Sequence, residues 1–425
     1  MHHFNYRDDH LYCEDVPIAS IAETVGTPFY IYSHSTLTHH FETFDQAFGK
    51  VPHMVCFALK ANSNLAIVSL FARMGGGADI VSGGELYRAL RAGVPPEKIV
   101  YSGVGKSLDE LRFALRAGIL MFNVESSEEL DALNETAGRM NAKARIALRV
   151  NPDVDPKTHP YISTGLKKNK FGIEIKRAIA EYKKARALSN IEIIGVSCHI
   201  GSQITEVEPF VEALKKLKEL IAELQVEGIR IRYLDLGGGL GITYDQEEPP
   251  HPAAYASAIM DEMSSLDATL ILEPGRVLVG NAGALVSKVL YTKNNGHKTF
   301  YIVDAGMNDL ARPSLYSSYH AIWPVNSSNG GRVKADVVGP ICESGDFLAK
   351  GRELPVLRPG ELIAVMSAGA YGFSMSSNYN SRPRVAEVMA KGNQFSVIRR
   401  REDYESLVRG EEIPDFADRG ADDPR

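Results

Sequence analysis

The feature that most constrains the fold is an eightfold alternation. Short apolar runs of β type recur between residues 53 and 273, separated by amphipathic stretches. The runs are "HMVCFAL" (53–59), "ADIV" (78–81), "KIVYS" (98–102), "LMFNV" (120–124), "ARIALRV" (144–150), "IEIIGVSCH" (191–199), "IRYLDL" (231–236) and "TLILE" (269–273). Between most of them lie helical patterns such as "SLDELRFALRAG", "SSEELDALNETAGRM" and "EPFVEALKKLKELIAELQVEG". The first two open with Ser ahead of acidic residues, an N-cap signature, and all three end in or near Gly or Asn. Eight β–α units in series predict an α/β fold: a parallel (β/α)8 barrel of the TIM type. A doubly wound open sheet gives the same pattern and differs only in closure.

Past residue 280 the texture changes. "ALVSKVLYTK", "KTFYIVDAG", "KADVVGPIC", "ELIAVMSAG" and "PRVAEVMAKGNQFSVIRR" predict strands joined by loops rich in Gly, Asn, Ser and Pro, without long helices. This is an all-β C-terminal domain, a sandwich or Greek-key-like barrel. With 425 residues the chain exceeds one ordinary core. The expected division is a barrel over 30–280 and a β-domain built from 1–29 with 281–425. The opening residues then pair with the C-terminal sheet. "TPFYIYS" and a helix over about 35–48 precede the first barrel unit. "NPDVDPKTHPYISTGLKKNKFG" (151–172) is long for a βα loop, as lids and binding loops often are.

Several function classes are excluded by composition. The net charge is −6 and no Lys/Arg cluster occurs, so no nucleic-acid partner is expected. No apolar run approaches the roughly 20 residues of a membrane span. The opening "MHHFNYRDDHLYCEDV" lacks the basic-then-apolar order of a signal peptide. Cys13, Cys56, Cys198 and Cys342 are far apart and form no CxxC, so neither a disulfide framework nor a metal site is expected. A reducing cytoplasm fits.

In such a barrel, chemistry sits at the C-terminal ends of the strands. Lys60 ends the first run, Asp79 lies in the second, Arg149 near the end of the fifth, His199 ends the sixth, Gly237–Gly239 follow the seventh and Glu273 ends the eighth. Singly, each has an ordinary reading: a solvated lysine cap, a structural histidine, a tight glycine turn, helix-start acids at Asp79 and Glu85. Together they fall on one rim. "DLGGGLG" (235–241) offers bare backbone N–H groups, and loops after strands 7 and 8 often hold phosphate. "EPGR" (273–276) adds a second glycine turn. A phosphate site facing a lysine suggests pyridoxal 5′-phosphate held as a Schiff base. A nearby cation or desolvation is expected to lower the lysine pKa and expose the amine. Glu273 is the candidate to keep the ring nitrogen protonated, and His199 to stack on the ring.

"FALKAN", "CHIGSQ", "DLGGGLG" and "EPGR" resemble the alanine-racemase-like barrel enzymes that use pyridoxal phosphate, in their decarboxylase branch. "DAGMNDLARPSLYSSYH" (304–320), "GPICESGDFLA" (339–349) and "SAGAYGFSMSSNYNSRPR" (367–384) resemble the diaminopimelate decarboxylases, in order from about residue 10 to 400. The resemblance implies conversion of meso-diaminopimelate to L-lysine and CO2. It makes Lys60 the Schiff-base residue and His199 the ring-stacking residue. Ser202, Gly238, Gly239, Gly275 and Arg276 hold the phosphate end, and Glu273 faces the ring nitrogen. Arg276, Arg312 and Tyr316 bind substrate carboxylate, Glu343 the distal ammonium, and Tyr371 touches both cofactor and substrate. Cys342 is the proton donor. Cys342 and Glu343 come from the second subunit of a homodimer. Asp79, Glu85 and Arg149 support the ring and His199. One departure is Asn169, in "TGLKKNKFGI", where the family leads us to expect serine. The rivals are a decarboxylase of ornithine, arginine or a carboxylated polyamine, and a non-catalytic pyridoxal-phosphate-binding protein. A racemase fits less well, because the C-terminal motifs are those of decarboxylases.

Overall fold

A computed structural model describes residues 2–155, 170–264, 266–327 and 331–418. All eight predicted strands are present: His53–Ala58, Gly77–Ile80, Ile99–Tyr101, Met121–Val124, Ala144–Asn151, Ile191–Ser197, Tyr233–Asp235 and Thr269–Leu272. Each pairs in parallel with the next. The eighth pairs with the first, Leu270 opposite His53 and Leu272 opposite Val55. That last pairing closes the barrel and excludes the open sheet.

The strands are nearly continuous apolar runs because both faces are covered. Every residue of Gly77–Ile80 and of Met121–Val124 is buried. The helices between them start where the sequence places caps. Ser107 and Glu110 form a reciprocal capping box on Leu108–Ala117, which ends at a left-handed Gly118. Ser126 caps Ser127–Arg139 by accepting from the Glu129 N–H. Two rim residues lie just past their strands. The sixth strand stops at Ser197, two residues before His199, and the eighth at Leu272, one before Glu273. Both side chains are therefore carried on loop starts above the barrel.

A second sheet is centred on Gly283–Asn294. Its order is Phe347–Pro355, Arg332–Val338, Thr299–Val303, Gly283–Asn294, Phe29–Ser33, Ala386–Lys391, Gln394–Arg399. Leu362–Val365 pairs with both Gly283–Asn294 and Ile322–Pro324. Phe29–Ser33, from "TPFYIYS", thus joins C-terminal strands, antiparallel on one side and parallel on the other. It then feeds the helix His34–Ala47, capped by its own Ser33. Phe347–Pro355 is absent from the sequence expectation. Its run carries Lys350, Gly351, Arg352 and Glu353, and it lies at the sheet edge with one partner, where polar residues are tolerated. Residues 156–169, with Asn169 and most of the long loop after Val150, lie outside the described residues. Among the described residues no helix is long and apolar enough to cross a membrane.

Candidate active site

Lys60 follows the first barrel strand by two residues, and its Nζ pairs with the fully buried Asp79 of the second. Burial disfavours the charge on Lys60, but Asp79 and Glu273 outweigh it and hold the ammonium above the usual lysine range. This corrects the expected direction. Buried carboxylates, not a cation, surround the amine, so its charged form is the favoured one. The residues beside it are tied to the second sheet's loops. Asn62 Nδ2 donates to the Gly369 carbonyl at 3.1 Å, and the Tyr371 N–H donates to the Ala61 carbonyl at 2.8 Å. Tyr371 adopts a left-handed φ of 55°, a conformation rare for an aromatic residue. The strained turn places its ring 4.8 Å from the Arg276 guanidinium carbon.

Inside the barrel lies a polar layer. Asn123 Nδ2 donates to Ser102 Oγ at 3.0 Å and to Asp235 Oδ2 at 2.8 Å, and the Gly237 N–H donates to Asp235 Oδ1 at 2.9 Å. Ser102 Oγ lies 3.4 Å from Glu273 Oε1. Burial pushes the Asp235 carboxyl up to about 6. Burial, with Asp235 and Asp79 nearby, pushes Glu273 well above the usual carboxylate range. Three carboxyl groups in one dry space cannot all ionise beside one lysine, so protons are retained there.

His199 Nδ1 accepts from the Gly238 N–H at 3.1 Å, which assigns the ring proton to Nε2. Burial, Arg149 and Lys60 keep the imidazole well below its usual pKa, hence neutral. Arg149 is held by Glu125: Nη1 donates to Oε1 at 2.8 Å, and the same carboxylate accepts from the N–H groups of Gly103 and Gly172, each at 3.0 Å. The glycines after the seventh strand admit no side chain. A Cβ on Gly238 would lie 2.1 Å from the Glu273 carbonyl oxygen, and one on Gly239 2.6 Å from that of Gly201. Arg276 follows Gly275; its Nη1 donates to the Tyr244 hydroxyl at 2.7 Å and its Nη2 to Ser202 Oγ at 3.0 Å.

These groups enclose a cavity of about 580 Å3. Of the residues expected from sequence, Lys60, Arg149, His199, Ser202, Glu273, Arg276, Arg312, Tyr316 and Tyr371 line it. Asp79, Gly238, Gly239 and Gly275 stand behind that wall. Glu85 is set further back, its Oε2 accepting from the Val81 N–H at 2.7 Å, and burial raises its carboxyl to about 7. Cys342 and Glu343 are not brought to this chain's cavity. Cys342 is exposed, its N–H donating to Asn380 Oδ1 at 2.7 Å, and Glu343 is hydrogen bonded to Tyr379. Sequence reasoning missed Tyr244, Gln203, Glu247 and Ser318, which also line the cavity. It missed Glu125 and Asp235 too, although both carry the signal that marked Glu273, an acidic residue at the end of a barrel strand.

The family model for the pyridoxal-binding domain of the pyridoxal-dependent decarboxylases matches residues 34–280. A diaminopimelate decarboxylase of Aquifex aeolicus is 53% identical over 407 residues, 96% of either chain. The chain belongs to the diaminopimelate decarboxylase family. A second relative of that name, from Vibrio cholerae, is 53% identical over 96% of this chain and 98% of its own. The crystal structure of the Helicobacter pylori diaminopimelate decarboxylase, complexed with L-lysine, superposes with a TM-score of 0.90 at 46% identity. It covers 92% of this chain and 98% of that one. The expected family and the expected (β/α)8 barrel with a C-terminal β unit are both borne out. Membership makes the chain a pyridoxal-phosphate-dependent carboxy-lyase.

Proposed function

We propose that this protein converts meso-2,6-diaminopimelate to L-lysine and CO2, the last step of lysine synthesis, as a cytoplasmic homodimer. The observation that carries the reading is one cavity whose wall holds both a buried lysine–carboxylate group, Lys60 and Glu273, and two arginine forks, Arg276 and Arg312, spaced by Tyr244. An amino acid that reacts at one end and is recognised by a second carboxylate needs such a site.

The residues fit pyridoxal 5′-phosphate. The glycines at 238 and 239 leave bare backbone where a phosphate needs N–H donors, and the buried Arg276 Nε has no hydrogen-bond partner among the described residues. When bound, the cofactor supplies an electron sink for the carbon that loses CO2. Lys60 would hold its aldehyde carbon, with Asp79 holding the amine. Glu273 would face the ring nitrogen and share with it the proton that burial retains there, and neutral His199 would pack on the ring. Ser202, Gly238, Gly239, Gly275 and Arg276 take the phosphate end. Arg149 and Glu85 support this face.

Arg276, Arg312 and Tyr316 bind substrate carboxylate, and Tyr371 contacts both cofactor and substrate. Cys342, as proton donor, and Glu343, as acceptor for the distal ammonium, reach the site from the second subunit. Residues 30–280 are read as the cofactor-binding unit, less the strand Phe29–Ser33, which pairs in the second sheet, and 1–29 with 281–425 as the unit that carries Arg312, Tyr316, Glu343 and Tyr371.

Purified protein given pyridoxal phosphate and, separately, meso-diaminopimelate, L-ornithine, L-arginine and a carboxylated polyamine tests the reading. Release of CO2 and L-lysine from diaminopimelate is expected. Turnover of ornithine without turnover of diaminopimelate would overturn it.

A further inference from the structure

Behind Arg312 lies a buried histidine that the reaction above does not use. His320 is fully buried. Its Nδ1 is 2.8 Å from the Met366 carbonyl oxygen, and its Nε2 is 2.9 Å from Arg312 Nη1. A carbonyl can only accept, so Nδ1 carries the proton. A guanidinium can only donate, so Nε2 presents its lone pair. A single neutral tautomer satisfies both partners, and an imidazolium would turn an N–H toward a cation. Burial, with Arg312, Arg276 and Arg352 nearby, takes the ring down to about 3 and keeps it neutral at working pH.

Two further groups complete the seat. Ser318 Oγ lies 3.3 Å from Arg312 Nη2. The Arg312 guanidinium carbon sits 4.4 Å from the centroid of the Tyr244 ring, which meets His320 edge-on at 5.3 Å. The same tyrosine accepts from Arg276, so one side chain spaces the two cations that line this end of the cavity.

Buried arginines are commonly held by carboxylates, which fix the fork and cancel its charge. Among the described residues, the acceptors of the Arg312 guanidinium, His320 and Ser318, are neutral, while the Glu247 carboxylate across the cavity acts on it through its charge. The side chain is oriented and its charge is left uncompensated by its holders.

We propose that His320 is a specificity-determining positioning residue: it aims Arg312 without neutralising it, so that the cavity keeps a full cation for a second carboxylate on the substrate. The inference rests on the proposal that Arg312 binds substrate carboxylate.

The test compares His320→Gln with His320→Glu. Both side chains can accept from Arg312, but only Gln can also donate to the Met366 carbonyl, so the charge comparison is repeated with Ser318→Asn against Ser318→Asp, which leaves His320 and its Met366 contact intact. With Gln, KM for diaminopimelate is expected to stay within about threefold of wild type, while Glu raises it on the order of tenfold or more at a similar kcat. Equal KM values for Gln and Glu would overturn the inference, and so would a rise with His320→Glu that Ser318→Asp does not reproduce, since the lost Met366 donor alone would then account for it. Arg312→Lys serves as the reference. If it leaves KM unchanged, the reading of Arg312 itself has failed; if it raises KM while Gln and Glu agree, only His320 has. Should the Glu variant not fold, nitrogen-15 NMR of the histidine-labelled wild-type protein decides. A protonated Nδ1 with a bare Nε2 is expected, and a proton on Nε2 would overturn the assignment.

Discussion

The backbone N–H of Tyr371 donates to the carbonyl of Ala61 at 2.8 Å, joining a loop of the second sheet to the residue that follows Lys60. The neighbour of Lys60, the proposed anchor, and the residue whose ring lies on Arg276 are thereby parts of one backbone junction. Asn62 reinforces it through the Gly369 carbonyl.

Lys60→Ala removes the amine at the centre of this junction and leaves Asp79 buried without its cation. Loss of the near-visible absorption band of the bound cofactor is expected, with kcat lowered on the order of a thousandfold or more. An absorption spectrum after borohydride reduction and dialysis checks it; a spectrum unchanged from wild type would refute the anchor.

Cys342 and Glu343 lie away from the cavity of their own chain, so the partner assignment can be tested by mixing. Lys60→Ala and Cys342→Ala subunits, each inactive or slow alone, are dissociated and reassociated together. If Cys342 acts across the interface, mixed dimers hold one intact site. Activity then recovers to about a quarter of wild type. No recovery in dimers shown by mass spectrometry to be mixed would place Cys342 elsewhere.

Glu125 holds Arg149 and two backbone N–H groups in a nearly dry setting. Glu125→Ala strands a buried cation, and a loss of about 3–5 kcal/mol in stability is expected from urea unfolding. A loss no larger than that of a surface substitution would show that water replaces the carboxylate.

The pH dependence of stability carries the signature of Asp235. Its carboxyl is raised to about 6 in the folded chain, above the ordinary value it regains on unfolding. The folded state therefore holds the proton more tightly. Its contribution is fully present below about pH 4 and is lost as pH rises through about 6. Asp235→Asn cannot ionise, so the stability difference between wild type and variant is expected to shift in favour of the variant from pH 4 to pH 6.5. Urea melts of cofactor-free protein at several pH values check it, and a difference independent of pH would sink the idea.

The barrel was legible because its strands are buried on both faces and its helices open on Ser caps, both local signals. Phe347–Pro355 was not, since an edge strand answers to its one neighbour and tolerates charge. Among site residues, Lys60, His199 and Glu273 were legible through the rule that chemistry follows barrel strands. Tyr244 and His320 were not. Nothing in "GITYDQEE" or "SSYHAIW" marks them, and their meaning comes from Arg276 and Arg312, which the fold brings from elsewhere in the chain. The raised lysine pKa was hidden for a related reason: Asp79 and Glu273 approach Lys60 from two other strands.

The interior layer joins Asn123 and Asp235, from the fourth and seventh strands of a closed ring, to Glu273, which directly follows the eighth. A replacement in any one is felt at the others, so that layer has little freedom to drift. The far wall, where Tyr244, Ser318 and His320 seat the arginines, hangs on loops that can be altered one at a time. Reshaping this enzyme toward other amino acids is therefore a task for the loops, with the barrel floor inherited unchanged.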